Sequence, residues 1–417
     1  MGKQIRDISF KKFIASVQDA GVSHFSEQKS MKVGTEEHFQ AMKSHILSYY
    51  EGVDAIKSFE DENGQVWDCI PVEQQPSLRG KKQAIPEPPD LSGMIKPKSR
   101  GIQPGRNMAV SFLSRGEKDR YGNERACPPG AIPVRRIQLD ELVRYETLEK
   151  FFRKAPFRMK GNGERAVEAD TETGIHKYAH AYQQVDNVGG HSYLNVWRPT
   201  VASDQVFSLS QHWYTGGEGN QLQTVEAGWI VYPDRYGSEP CLFIYWTADN
   251  YDQTGAYNME KPGFTQLNYK WALGGALSGL ISEKGGAQYE LEITWVLSAG
   301  NWWLYVNGSS KEDIVGFYPV SIFAGGQLAS HATAIDYGGE VVGSVSWPEM
   351  GSGEFADKGD GMAAYQRNIN YLDTAGGSDW AALTGSEEFP ACYTIRTGSD
   401  EDRGAFFYFG GPGGDNC

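Results

Sequence analysis

The spacing of apolar positions changes along the chain. From Thr35 to Glu51, Phe39, Met42, Ile46 and Tyr49/Tyr50 recur three and four residues apart, which predicts one apolar face of a helix. Thr35 suits its N-cap, Glu36 and Glu37 suit its positive first turn, and Gly52 suits its end. A second helix is predicted from Gln138 to Lys154, with Leu139, Leu142, Leu148, Phe151 and Phe152 as its apolar positions. A short strand, Gln65 to Ile70, follows the turn Asp61-Glu62-Asn63-Gly64. Residues 1–34 are polar with scattered apolar positions and predict no element. Pro71 to Arg106, rich in proline and lysine, and Cys127 to Pro133 read as irregular, extended pieces.

Met159 to Thr173 is polar and holds Gly161 and Gly163, so it reads as an interdomain linker and a processing site. Beyond it, strand-like runs recur at short intervals between Gly, Asn and Asp turns. They include His191 to Trp197, Val206 to Tyr214, Val225 to Tyr232, Leu242 to Trp246, Tyr289 to Val296, Trp302 to Val306, Ala334 to Val342 and Ala405 to Phe409. That spacing predicts an antiparallel sandwich or barrel. The expected division is an N-terminal part over 1–158, a linker over 159–173 and a β-rich part over 174–417.

Composition agrees with this pattern. The 417 residues include 50 Gly, 11 Trp and 22 Tyr, as suits many tight turns and an aromatic-lined groove. Charge is unevenly spread. Residues 171–417 carry 11 basic and 29 acidic side chains, and residues 1–170 carry 28 and 24. The β-rich part is thus strongly acidic, which argues against nucleic-acid binding, while the basic N-terminal part is suited to cover it. No run of about 18 apolar residues predicts a membrane helix. The opening Met1 to Arg6 lacks the apolar stretch of a secretory signal. Of the five cysteines, Cys392 and Cys417 bracket the C-terminal segment, and Cys69 and Cys127 lie together in the N-terminal part. Cys241 is left over. Two disulfides, or five buried thiols, both fit.

Several chemistries lack their residues. There is no G-x-S-x-G elbow, and Cys241 opens an apolar run where a thiol is inert. His176 and His180 are spaced as a helical metal pair, but Lys177 stands where the glutamate of a metalloprotease belongs, and the context is strand-like. No loop for a nucleotide phosphate precedes a helix. Two carboxylates remain. Glu340 follows Gly338-Gly339 and precedes Val341-Val342, and Glu226 lies in Val225 to Tyr232. A lone Glu is costly to bury in a strand. A facing pair shares a proton, so one member acts as base toward water and the other as acid.

The order of motifs resembles the neprosin family of glutamic peptidases. The N-terminal matches are Asp68-Cys69-Ile70 with Gln75-Pro76 and Cys127-Pro128-Pro129-Gly130-Ala131-Ile132-Pro133. Then come Phe207 to Trp213, Glu226-Ala227-Gly228-Trp229, Tyr232 to Gly237 and Phe243 to Thr247. Asn301-Trp302-Trp303, Gly316 to Pro319, Gly338-Gly339-Glu340-Val341, Met350 to Gly353 and Gly410 to Gly413 complete the series. The resemblance implies a jelly-roll-like β-sandwich catalytic domain behind a smaller mixed α/β activation domain. It places the catalytic pair on Glu226 and Glu340; within that pair our own expectation is Glu340 as base and Glu226 as acid. It implies an acid-active endopeptidase made as a zymogen, a preference for cutting after proline, and a secreted or extracytoplasmic location.

On this reading Gln211 orients substrate or water, and Trp213, Trp229, Trp246 and Tyr337 line the cleft. The expected partners are polypeptide substrates and the chain's own N-terminal domain, with no metal or other cofactor, no nucleic acid and no membrane, in a monomer. Two rival readings are a carbohydrate-active β-sandwich hydrolase, which also uses paired carboxylates, and a catalytically inactive binding module.

Overall fold

The computed structural model describes residues 8–26, 28, 30–81, 84–91, 106–111, 113, 116–154, 158–159, 165–166, 175–277, 279–415 and 417. The 159–173 linker lies almost wholly outside the described residues.

The N-terminal part carries the described helices of any length. α1 (Phe10–Asp19) buries Phe10 and Val17, an element that the sparse apolar positions of residues 1–34 do not announce. α2 (Glu36–Tyr49) lies where its periodicity places it. Thr35 caps it by accepting the His38 amide at 3.1 Å, and Phe39, Met42, Ile46 and Tyr49 form its buried face. Three strands, β1 (Lys57–Glu60), β2 (Val66–Pro71) and, further on, β4 (Ala131–Arg135), form a small antiparallel sheet in the order β1-β2-β4. The end of the Cys127 to Pro133 stretch is therefore not irregular, because Ile132 and Pro133 pair with Ile70 and Cys69. Pro133 costs little there, since β4 is an edge strand of this sheet. A Cys69–Cys127 disulfide closes the sheet's connection.

The expected helix over 138–154 is broken into α3 (Leu139–Leu142) and α4 (Leu148–Phe152). Thr147 restarts the helix by accepting the Lys150 amide at 3.3 Å. The chain leaves α4 at Arg153 in an extended conformation.

The rest is mainly β. Its strands are β5 (Ile175–Asn195), β6 (Gln205–Gly216), β7 (Gln223–Tyr232), β8 (Gly237–Thr247), β9 (Ala256–Tyr257), β10 (Thr265–Gln266), β11 (Gln288–Ser298), β12 (Asn301–Val306) and β13 (Ile314–Pro319). They continue with β14 (Ala332–Gly343), β15 (Ala364–Asp373), β16 (Ser378–Trp380), β17 (Thr384–Glu387), β18 (Thr394–Asp400) and β19 (Gly404–Gly410). With β3 (Arg106–Met108) from the N-terminal part, they make a 16-stranded sheet among the described residues. Its main path runs β9-β8-β7-β6-β14-β5-β11-β12-β13-β10.

Where the sequence reading expects a sandwich, the hydrogen-bond ladder is continuous through β5. This 21-residue strand pairs with β14 over its first part and with β11 from Gly189 to Asn195. Gly189 sits at the change of partner with φ +125°, and a Cβ there would meet the Trp295 carbonyl at 2.0 Å. The sheet curls so that apolar faces meet. Tyr214 of β6 stacks on Trp302 of β12 at 6.0 Å, Trp246 of β8 approaches Tyr318 of β13 at 6.3 Å, and the Trp229 indole donates to the Asn195 carbonyl at 3.0 Å. A second disulfide, Cys392–Cys417, ties the C-terminal segment, and Cys241 is a buried free thiol. No helix among the described residues is long and apolar enough to cross a membrane.

Candidate active site

The register explains how two glutamates far apart in sequence come to one place. Glu226 is on β7 and Glu340 on β14, with β6 between them. Leu209 of β6 lies opposite Glu340, Gln211 opposite Gly338 and Gly228, and Trp213 opposite Glu226. Residues two apart on a strand share a face, so Leu209, Gln211, Trp213, Glu226 and Glu340 all project from one side of the sheet. Gln211 stands midway between the two carboxylates. Behind them the sheet is tightly packed: a Cβ on Gly339 would meet Met350 Sδ and Phe409 Cε2 at 2.6 Å. The glycine beside Glu340 thus reflects a close approach of core side chains.

Both carboxylates are buried. Glu226 Oε1 accepts the Thr224 hydroxyl and the Tyr251 hydroxyl, each at 2.8 Å. Tyr251 and its neighbour Asn250 both have positive φ, at 63° and 58°. This strained corner carries the phenol back over β7, and Tyr251 stacks on Tyr245 at 5.9 Å. Glu340 Oε1 accepts His176 Nδ1 at 2.5 Å and the Tyr178 hydroxyl at 3.3 Å, and its Oε2 accepts Gln211 Nε2 at 3.0 Å.

The remaining partner comes from the N-terminal part. The buried ammonium of Lys154 bonds Glu226 Oε2, lies 2.9 Å from Glu340 Oε2 and reaches Gln211 Oε1 at 3.4 Å. Burial opposes the charge of Lys154, but Glu226 and Glu340 outweigh it and hold its pKa above that of free lysine. Burial likewise opposes ionisation of Glu340, and Lys154 followed by His176 overcomes this, bringing its pKa down to about 2. The backbone holds Lys154 in place. Its amide donates to the Tyr245 hydroxyl at 3.1 Å, that hydroxyl donates to the Phe152 carbonyl at 3.3 Å, and Arg235 donates to the Phe151 carbonyl.

Gln211 and Trp213 lie on the face of the carboxylates, and Trp213 stacks on His180 at 5.9 Å beside Glu226. Trp229, Trp246 and Tyr337 do not line the cleft. Strand alternation turns them to the opposite face, where Trp229 bonds Asn195, Trp246 packs near Tyr318 and Tyr337 bonds Tyr214 at 3.2 Å. His176 and His180 lie on a strand, so four residues separate them by about 13 Å rather than one helical turn. His176 meets Glu340, and His180 donates to Asp336 at 2.8 Å. Among the described residues no cluster of three or more His, Cys, Asp or Glu side chains is arranged to hold a metal ion.

Sequence reasoning missed Lys154, Thr224, Tyr178, Tyr245 and Tyr251. Strand alternation from Glu226 points to Thr224, but Tyr251 reaches the site from a segment with no periodic signal, and Lys154 from the end of an apolar pattern that reads as one unbroken helix.

The family model described as Neprosin matches residues 204–412, half of the chain, and the match includes both carboxylates. Among solved structures, scytalido-glutamic peptidase with a peptide-based transition state analog is similar at 7% identity and TM-score 0.30. The match covers 58% of this chain and all of that one. A second structure of that peptidase, with a transition state analog inhibitor, gives 8% identity, TM-score 0.29 and the same coverage. A functionally unknown protein from Saccharomyces cerevisiae gives 10% identity and TM-score 0.20, over 46% of this chain and 76% of that one.

Proposed function

This chain belongs to the neprosin family of glutamic peptidases, and from that premise we propose that it is a latent, acid-active endopeptidase with Glu226 and Glu340 as its catalytic pair. The observation that carries this reading is the Lys154 ammonium bridging both carboxylates. Two buried carboxylates that close are stable together only with a shared proton or a cation between them. In the latent chain Lys154 is that cation. Once it withdraws, one carboxyl takes up a proton and the pair becomes an acid and a base.

The division of labour follows. Ionised Glu340 takes a proton from a water placed with the help of Gln211, and the water oxygen attacks the scissile carbonyl carbon. Protonated Glu226 donates to the carbonyl oxygen as negative charge develops there. In the collapse of the tetrahedral intermediate, the proton held by Glu340 passes to the leaving nitrogen and the C–N bond breaks. Glu226 then regains its own proton. No metal or cofactor enters these steps.

The N-terminal part, residues 1–158, serves as the activation domain, and cleavage within 159–173 frees the cleft. The uneven charge supports this reading through specific pairs. Arg135 donates to Glu260 at 2.9 Å, and Arg106 meets Asp360 at 2.5 Å and buried Glu290 at 3.8 Å. Two disulfides fit an oxidising, extracytoplasmic location. Cleavage after proline remains part of the proposal on family grounds.

The test is digestion of a denatured, proline-containing protein between about pH 2 and 7, with products read by mass spectrometry. Wild type, Glu226→Gln and Glu340→Gln are run in parallel after acid incubation. Loss of about 10²-fold or more in both variants supports the pair. Undiminished digestion by either variant overturns it.

A further inference from the structure

We propose that His176 is a positioning residue that commits Glu340, rather than Glu226, to the role of base and thereby sets the acid limit of activity. The inference rests on the glutamate-pair reading above and concerns what makes the two members unequal.

A symmetric pair has no built-in base, because a shared proton can reside on either carboxyl. The surroundings here are not symmetric. Glu226 Oε1 is held by two hydroxyls, Thr224 and Tyr251. Neutral hydroxyls of this kind hold a carboxyl in place without adding charge. Glu340 Oε1 is held by an imidazole nitrogen at 2.5 Å, a group that becomes cationic in the range where an acid peptidase works. A positively charged donor on one carboxylate favours its ionised form, and the proton then settles on the other.

The groups that face Glu340 can be named from each neighbouring element. β5 supplies His176 and Tyr178, β6 supplies Gln211, β7 supplies Glu226, and the segment after α4 supplies Lys154. Tyr257 of β9 lies close enough for its phenol to feel the Glu340 charge. Of these, only Lys154 and His176 can be positive. Lys154 belongs to the activation domain and leaves with it, whereas His176 opens β5 and stays. The same contact that helps to draw Glu340 down to about 2 in the latent chain therefore persists in the active one.

The ring is fixed in this role. His176 lies opposite Val342 on β14 and is the diagonal neighbour of Glu340. It stacks on Tyr178 at 6.1 Å with the planes 20° apart, and it meets Phe207 edge-on at 5.9 Å. With Oε1 occupied, Glu340 presents Oε2 toward Gln211, the side on which Lys154 now sits. That is the oxygen left to take a proton from water.

The experiment is the pH profile of kcat/KM for acid-activated wild type, His176→Asn and His176→Leu. Asn keeps a neutral donor, and Leu removes the donor as well. The acid limb reports ionisation of the base, so it should move to higher pH in both variants, by about one unit or more in His176→Leu and by less in His176→Asn. The KM at the optimum should change little while kcat falls. An acid limb that coincides in wild type and His176→Asn overturns the proposal, whatever happens to the overall rate, and leaves His176 as packing. If His176→Leu does not fold, the Asn variant alone decides. Failure of the underlying reading is distinguishable: Glu340→Gln would then keep its activity.

Discussion

Lys154 Nζ lies 2.9 Å from Glu340 Oε2, although 186 positions separate them in the sequence. The lysine does not arrive there by helical continuation. The extended turn at Arg153 ends α4 and points the next residue into the cleft. There it meets a second glutamate that the sheet register has placed on the far side of β6. The contact joins the N-terminal part to both glutamates through one side chain. The neighbouring backbone is clamped by Tyr245 and Arg235.

Trp213 and Trp229 should respond differently to truncation. Trp213 shares the face of the carboxylates and is itself only 7% exposed, so Trp213→Ala should raise KM and alter the choice of cut sites in addition to any loss of stability. Trp229 is fully buried on the opposite face. Its replacement by Ala should cost about 3–5 kcal/mol, seen in denaturant unfolding. Equal effects of the two on KM would contradict this placement.

Acid should loosen the docking of the N-terminal part on the β-rich part. His45 of α2 lies against the Glu260 backbone at 3.1 Å. Burial, opposed by that bond and reinforced by Lys261, lowers its pKa from 6.5 to about 4. A depressed histidine stabilises the docked form above its free pKa, and that contribution is lost as the pH falls from 6.5 toward about 4. Glu340, lowered from 4.5 to about 2, contributes above 4.5 and loses its share as the pH falls through about 2. The two effects act in the same direction. The protection of α2 amides, taken relative to their intrinsic exchange rate at each pH, should therefore fall on acidification across these windows, and protection that stays level from neutral pH to about 4 would count against this docking.

The Cys69–Cys127 disulfide should matter for the N-terminal part. It closes a connection of 58 residues, for which chain entropy gives about 4 kcal/mol. Replacing both cysteines by serine should lower the stability of the small sheet by that order in denaturant unfolding. It should also raise basal hydrolysis by the uncleaved chain.

Periodicity and local alternation make α2 and eight of the strand runs after residue 174 legible, and the cost of burying a lone charge singles out both glutamates; the strands at Ile314–Pro319, Ala364–Asp373 and Thr394–Asp400 are not named from the sequence. The same alternation also decides which face a residue occupies. Applied pairwise from Glu226 and Glu340 it retains Trp213 and Gln211. It sends Trp229, an odd number of positions from Glu226, to the core. Tyr337 is likewise an odd number of positions from Glu340. Trp246 is opposite Val225 rather than Glu226. What the sequence hides is non-local. Tyr251 reaches Glu226 through two consecutive positive-φ residues. Lys154 reaches it through a helix break that an apolar pattern running from 138 to 154 conceals. The continuity of the sheet through β5 depends on Gly189, whose role is visible only beside Trp295.

The most direct measurement is hydrolysis of a fluorogenic peptide by the intact, uncleaved chain at about pH 5. Wild type, Lys154→Ala and the double variant Lys154→Ala/Glu340→Gln are compared, with chain integrity checked by mass spectrometry. Withdrawing the ammonium should leave an acid–base pair in place of an ion triad. Lys154→Ala should then cleave the peptide at least about ten times faster than wild type before any chain cleavage, and the double variant should be silent. An intact Lys154→Ala chain as inactive as wild type would contradict the latch, and a double variant as active as Lys154→Ala would contradict the glutamate pair itself.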